Sequence, residues 1–251
     1  MAQGTIFTNI TNKVATITFF HPSSNSFPSA SINKLIDSIN QLSQDENVHV
    51  IVLKSDGDKA FCAGASFDEL LQVESLEDGI KFFSGFANLI NAMRKCEKLI
   101  IGRVQGKTVG GGVGIIAATD YSFATEAADV KLSEFSIGIG PFVIAPAIER
   151  KIGVSALSEL TIDATNWKTA YWAKEKGLYA RVFENSRDMD EAVDILSNKL
   201  ASYNLKALTE MKKILWHDTN HWDELLVKNA EISGKLALSE YTKNAMLKFK
   251  K

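Results

Sequence analysis

The chain has 251 residues, and its 28 Lys and Arg against 30 Asp and Glu leave a formal net charge of −2. Apolar residues make up 45% and charged residues 23%, the balance of a soluble globular protein large enough to bury a core unaided. That balance argues against nucleic acid as a main partner, no run reaches the roughly 18 apolar residues of a membrane span, and Cys62 and Cys96 make neither a disulfide framework nor a zinc set.

Residues 1–8 lack the basic-then-apolar layout of a secretion signal, so a cytoplasmic location is expected. Residues 5–10 and 14–20 are rich in β-branched and aromatic side chains, which predicts two strands joined by a turn at 11–13. A polar segment from His21 to Ser26 precedes a helix in which Ile32, Leu35, Ile36, Ile39 and Leu42 recur at spacings of three and four. The continuous apolar run 48–53 predicts a strand buried on both faces. Helical pattern follows from 67 to 94, with a break expected near 77–79. A second buried strand is predicted at 99–104, then a glycine cluster at 110–114 opening a short apolar helix, then short strands at 121–124 and 130–132. Helix and strand thus alternate through residue 185, the pattern of an α/β architecture.

From residue 188 the pattern becomes helix after helix, at 189–200, 206–215, 222–236 and 240–249. Trp216, Trp222, Leu225, Leu226 and Leu238 give this region too much apolar surface for solvent, so it must cover the core or a neighbouring subunit. The expected organisation is an α/β core over 1–187 and a helical region over 188–251.

Two loops follow the buried strands and are built from small residues. The first runs from Lys59 to Ser66 and the second from Gln105 to Gly114. Small residues let a ligand approach the backbone, and the N–H groups at a helix start are unsatisfied donors. Two such starts can aim two amides at one oxygen, the physics of an oxyanion hole; tight strand–helix packing accounts for the same residues without any chemistry. Glu134 is a lone carboxylate flanked by Leu132, Phe135 and Ile137. In an apolar pocket, desolvation would raise its pKa toward that of a useful acid/base; on the surface it would be an ordinary helix-start Glu.

Together these segments resemble the crotonase (enoyl-CoA hydratase/isomerase) superfamily over residues 16–182. Pro22-Ser-Ser-Asn25-Ser-Phe27 looks like the family's early segment, and Ala60-Phe-Cys-Ala-Gly-Ala65 like its first oxyanion loop. Val109-Gly-Gly-Gly112 with Ala118-Thr-Asp120 resembles its second loop, and Leu132-Ser-Glu134 with Gly138 its catalytic-glutamate segment. The resemblance implies a spiral of ββα turns with a helical C-terminal region, assembled as a homotrimer or a dimer of trimers. It implies an acyl-CoA substrate whose thioester oxygen sits between the amides of Ala63 and Gly111, with Glu134 as the acid/base. Coenzyme A would enter as the substrate's acyl carrier, with no separate cofactor and no metal. The CoA path and acyl pocket would use Asn25, Ser26 and Phe27; Lys59, Ala60, Phe61, Gly64, Ala65 and Ser66; Gly110, Gly112 and Gly114; and Pro141 and Phe142.

The sequence also departs from the family pattern. Hydratases of the family carry two glutamates, and the position of the first is Gly114 here. The aspartate that commonly ends the first loop is Ser66, and a Pro141-Phe-Val-Ile-Ala-Pro146 stretch replaces a glycine-rich one. The pattern looks most like a branch containing methylglutaconyl-CoA hydratases. Branch resemblance favours hydration of a 2-enoyl-CoA; the chemistry of a single glutamate suits isomerisation of a 3-enoyl-CoA to the 2-enoyl form; a non-catalytic acyl-CoA binder is a third expectation. Residues 70–86 and 142–148 would set acyl specificity, with Phe82, Phe83, Phe86 and Phe142 hinting at an apolar tunnel.

Rival motifs are weaker. Gly112-Val-Gly-Ile-Ile-Ala117 matches a dinucleotide fingerprint with Glu134 downstream, the mark of an NAD-dependent oxidoreductase, but no strand feeds directly into Gly112. Gly106-Lys-Thr108 lacks the earlier glycine of a phosphate-binding loop, which is Ile101 here. His217 and His221 share the i, i+4 spacing of a zinc pair but flank Thr219 and Asn220, poor helix formers, so an inter-helix turn is expected. Lys248, Phe249, Lys250 and Lys251 read as a solvated end.

Overall fold

The computed structural model describes residues 4–249. Residues 1–3, part of the stretch read for a secretion signal, and Lys250 and Lys251 of the basic end lie outside the described residues.

Strands β1 (Thr5–Thr11) and β2 (Val14–Phe20) form an antiparallel hairpin, with Asn12 and Lys13 at φ of 52° and 65° in its tight turn. Helix α1 (Ser29–Gln44) lays Ile32, Leu35, Ile39 and Leu42 on the core and returns the chain to β3 (Val50–Ser55), parallel to β2. β4 (Ala60–Cys62) leaves that sheet and begins a second one. α2 (Phe67–Leu70) and α3 (Leu76–Lys95) follow, then β5 (Leu99–Val104) in the large sheet and β6 (Lys107–Val109) in the small one. α4 (Gly111–Ala117), β7 (Tyr121–Thr125) and β8 (Val130–Lys131) repeat the excursion. A 3-10 turn (Glu134–Ile137), α5 (Ala145–Ile162), α6 (Ala170–Glu175) and β9 (Arg181–Phe183) complete the spiral. The six-stranded sheet runs β1-β2-β3-β5-β7-β9 and the three-stranded parallel sheet β4-β6-β8. Each turn from β3 to β8 thus adds one strand to each sheet.

The apolar run in β3 is explained by burial on two sides. Ile51 and Leu53 join the main core, whereas Val50 and Val52 face a second cluster with Met189 and Val193 of α7 (Ser186–Ala201). α8 (Leu205–Leu215), α9 (Trp222–Ala237) and α10 (Glu240–Phe249) finish the chain. α9 packs along α3, and α10 rests on the 3-10 turn, with Tyr241 and Thr242 against Gly138. The helical region therefore clasps both faces of the core. No helix among the described residues is long and apolar enough to cross a membrane.

Two local expectations change. The break in the 67–94 pattern comes earlier than 77–79: α3 starts after Ser75, whose hydroxyl accepts from Asp78 N–H at 3.1 Å while Asp78 Oδ2 accepts from Ser75 N–H at 3.1 Å. Gly79 lies inside α3, where a Cβ would come within 2.7 Å of Gly234 Cα on α9, so it marks a helix crossing. α5, absent from the periodicity reading, carries apolar residues around much of its circumference and is interrupted at Gly153 (φ 77°), which obscures a 3.6-residue signal.

Candidate active site

The three strands of the small sheet end together, and the residues that follow them line one cavity of about 190 Å³. β4 leads into Ala63, Gly64, Ala65 and Ser66, β6 into Gly110 and Gly111, and β8 into Ser133 and Glu134. Parallel strands present such crevices at their carboxyl ends.

Asn25 builds the first loop from behind. At φ 57° and almost fully buried, its Oδ1 accepts from His21 N–H at 2.9 Å, and its Nδ2 donates to Asp56 O at 2.8 Å and Ala60 O at 2.9 Å. Gly64, at φ 88°, turns the chain so that Phe27 N–H donates to Gly64 O at 2.8 Å and Ser66 N–H donates to Phe27 O at 3.2 Å. Successive peptide groups of an extended strand point to opposite sides. The Ala65 N–H therefore points away from Phe27, and it has no acceptor among the described residues. The Ala63 N–H, by contrast, donates to Ser24 O at 3.1 Å.

Gly110 (φ 54°, ψ −122°) makes the sharp entry into α4, and Gly111 opens the helix with an amide that has no intrahelical acceptor. The two loops touch: a Cβ on Gly64 would lie 3.0 Å from Val109 O and 3.4 Å from Gly111 N. The Ala65 and Gly111 amides thus stand at one end of the cavity. Glu134 lies over the same spot, its Oε1 only 2.8 Å from where a Cβ on Gly110 would be. Glu134 Oε2 is shut from solvent and has no hydrogen-bond partner. Burial pushes the Glu134 carboxyl up to about 7, a rise moderated by a bond from its own backbone N–H. Around it stand Phe82, Phe83 and Phe86 from α3, Leu70 from α2, and Val143 and Ile144 ahead of α5.

Residues 9–250 match the model of the enoyl-CoA hydratase/isomerase family. The chain belongs to that family. It is 29% identical over 240 residues, 94% of this chain and 91% of the relative, to a short-chain-enoyl-CoA hydratase of Clostridium acetobutylicum. Over 192 residues, 70% of this chain and 67% of the relative, it is 26% identical to a peroxisomal Delta(3,5)-Delta(2,4)-dienoyl-CoA isomerase of Arabidopsis thaliana. The crystal structure of an enoyl-CoA hydratase from Bacillus halodurans has the same fold, with a TM-score of 0.88, 20% identity, and 97% of this chain and 99% of that one covered. The crotonase-like spiral expected from the motifs is the fold observed.

Within this crotonase-family chain the predicted site residues divide sharply. Gly64, Ala65, Ser66, Gly110, Gly111, Glu134 and Pro141 line the cavity. Ala63 lines it too, but its amide is spent on Ser24, so the expectation that this amide faces the substrate oxygen is corrected; the amide left without an acceptor among the described residues is that of Ala65. Asn25, Ser26, Phe27 and Phe61 are buried behind the loop: Ser26 Oγ lies 3.2 Å from His21 Nδ1, and both Phe rings pack on Phe19. They hold the loop and do not line the cavity. Lys59 is exposed beyond the cavity, and the Ala60 carbonyl accepts from Asn25. Gly112 is packed on Cys62, within 2.8 Å of a would-be Cβ. Phe142 folds onto Gly140, its carbonyl accepting from Asn229 Nδ2 at 2.8 Å, so it leaves the tunnel to Phe82, Phe83 and Phe86.

Gly114 is covered rather than open: a Cβ there would lie 2.5 Å from Ile144 Cγ2. The glycines of the dinucleotide-like stretch are therefore filled in by Cys62 and Ile144 and offer a pyrophosphate no cradle. His217 and His221 lie in the turn between α8 and α9. Sequence reasoning gave no site role to Phe67, Val109, Ser133, Ile137, Ile139, Gly140 and Ser233 of the lining. Ser133 and Ile139 flank Glu134 and carried a proximity signal; Ser233 arrives on α9 and carried none.

Proposed function

We propose that this chain shifts the double bond of a 3-enoyl-CoA to the 2-position, with Glu134 as its single acid/base. The observation that carries this reading is Glu134 Oε2, buried and unpartnered in a cavity with no other titratable side chain among its described lining residues. Glu134 takes the proton from C2, and the pair of the broken C–H bond forms a C1–C2 double bond as the thioester C=O pair moves onto its oxygen. When that oxygen pair re-forms the C=O bond, the C1–C2 pair becomes the C2–C3 double bond and the C3–C4 pair takes the proton at C4 from the same carboxyl group, so one residue closes the cycle. The amides of Ala65 and Gly111 hold the charge that collects on the thioester oxygen. One such donor contributes about 3 kcal/mol of barrier lowering in other enzymes.

Hydration of a 2-enoyl-CoA is the second reading, favoured by the length of the match to the Clostridium relative. A methylglutaconyl group is disfavoured for either reaction. Its extra carboxylate would enter a cavity whose described lining, largely apolar with three serines, holds no cation to pair it. We also propose assembly as a homotrimer or a dimer of trimers, supported by Val154 and Ile162 on α5 and Ile214 on α8, which stand 68%, 77% and 62% exposed in the single chain. Light scattering measures it.

The test is turnover of 3-enoyl-CoA and 2-enoyl-CoA thioesters by the native chain and by Glu134→Gln. Loss of about 10²-fold or more in kcat, with thioester affinity held within a few-fold, is expected. Full turnover by Glu134→Gln removes Glu134 from the mechanism. Thioester binding by the native chain with no product of either kind leaves a non-catalytic binder.

A further inference from the structure

Gly114 is the helix position where the family resemblance puts the first of the hydratases' two glutamates, and here the space beside it is taken. A Cβ on Gly114 would lie 2.5 Å from Ile144 Cγ2 and 2.6 Å from Ile144 Cβ. Ile144 is almost fully buried and lines the cavity that Glu134 enters from the other loop. Its backbone is tied on both sides, its N–H donating to Pro141 O at 3.2 Å and its carbonyl accepting from Ile148 N–H at 3.2 Å. A β-branched side chain on an anchored backbone has few rotamers, so it stays over Gly114.

We propose that Ile144, seated on Gly114, is the specificity-determining residue that confines this site to moving protons between carbons. The inference rests on the isomerase assignment above and extends it to the residue that enforces the choice. Adding water to a 2-enoyl-CoA requires a bond from the water oxygen to C3, removal of one water proton, and delivery of a proton to C2. Two positioned acid/base groups do this, one for the water and one for C2. The branched carbon chain of Ile144 fills the volume of the first and offers the water no acceptor. Isomerisation needs only Glu134, so the same filling leaves it intact and excludes a competing nucleophile.

Two variants test this, Ile144→Ala and the double variant Gly114→Glu with Ile144→Ala, which supplies the carboxylate and removes the side chain it would strike. Crotonyl-CoA probes hydration and a 3-hexenoyl-CoA probes isomerisation; the readout is the ratio of 3-hydroxyacyl product to isomerised product, which a purely structural defect would not move. The ratio is expected to rise several-fold in Ile144→Ala and by about tenfold or more in the double variant. Folded variants that bind thioester yet keep the native ratio overturn the inference while the isomerase assignment stands. Should the double variant fail to fold, Ile144→Ala decides by the same ratio. A native chain that hydrates crotonyl-CoA and does not isomerise the 3-enoyl thioester overturns the isomerase assignment and this inference together.

Discussion

Glu134 is badly solvated, and that is what suits it to the proposed proton transfer. Its value in the folded chain, about 7, lies above the ordinary 4.5. In the proposed role of base it must be ionised, so kcat/KM should fall as pH drops below about 7, with the limb absent in Glu134→Gln. The same shift works on stability with a definite sign. A raised carboxyl value favours the folded state when protonated; that contribution is complete below the unfolded value of 4.5 and is lost as pH rises through about 7. The span is about 3 kcal/mol. Glu134→Gln, which cannot ionise, should gain stability relative to the native chain between about pH 5 and about pH 8.5, measured by urea unfolding at both. An equal difference at the two pH values would mean that the carboxylate is not desolvated. Asn25 acts at the same scale from behind the first loop, outside the cavity lining. Asn25→Leu removes the three hydrogen bonds that tie the first loop to His21, Asp56 and Ala60, and should cost about 2–3 kcal/mol in thermal or denaturant unfolding while weakening thioester binding.

At the scale of elements, the cavity depends on how closely two helices approach. α3 brings Phe82, Phe83 and Phe86 to it and α9 brings Ser233, and they cross where Gly79 meets Gly234. A Cβ on Gly79 would sit 2.7 Å from Gly234 Cα, and the obstacle is backbone that cannot rotate away. Gly79→Ala should therefore force the helices apart at a cost of about 1–3 kcal/mol, visible as a lower thermal midpoint, with KM rising more than kcat falls. An unchanged midpoint would show that the crossing has slack. The 3-10 turn that carries Glu134 is backed in the same way by α10, where Tyr241 and Thr242 close on Gly138 and Met246 joins Leu70 and Ile139 in a small apolar cluster.

At the scale of the molecule, the helical region is joined to the spiral by a buried polar node. Asp120 Oδ2 accepts from Ile100 N–H at 2.7 Å and pairs with Lys212 Nζ at 3.0 Å, while Oδ1 accepts from Trp216 Nε1 at 2.7 Å. Lys212 also donates to Lys98 O at 2.7 Å, and both members of the ion pair are nearly inaccessible. Removing one partner of such a pair leaves a buried charge, which typically costs about 3–5 kcal/mol. Lys212→Ala should lose that much in denaturant unfolding, whereas a loss below about 1 kcal/mol, the scale of an exposed pair, would make the node incidental.

Local pattern was enough for much of this protein. Continuous apolar runs identified β3 and β5, small residues after them identified both loops, and Glu134 stood out as a carboxylate among apolar neighbours. These signals depend on residues adjacent in the chain, and four short motifs in order identified the family. Which amide faces the cavity was decided only in three dimensions. Ala63 and Ala65 are alike as residues, and their roles separate because Ser24 takes one amide and Phe27 turns the other inward. Asn25 likewise reads as a ligand-facing polar residue until its partners are known. Whether Gly114 is an open site or a filled one depends on Ile144, thirty positions away in the chain and in direct contact across the fold. Composition and spacing determine which residues are available to chemistry; hydrogen-bond partners and occupied volume are properties of space, and they decide which of those residues are free to act.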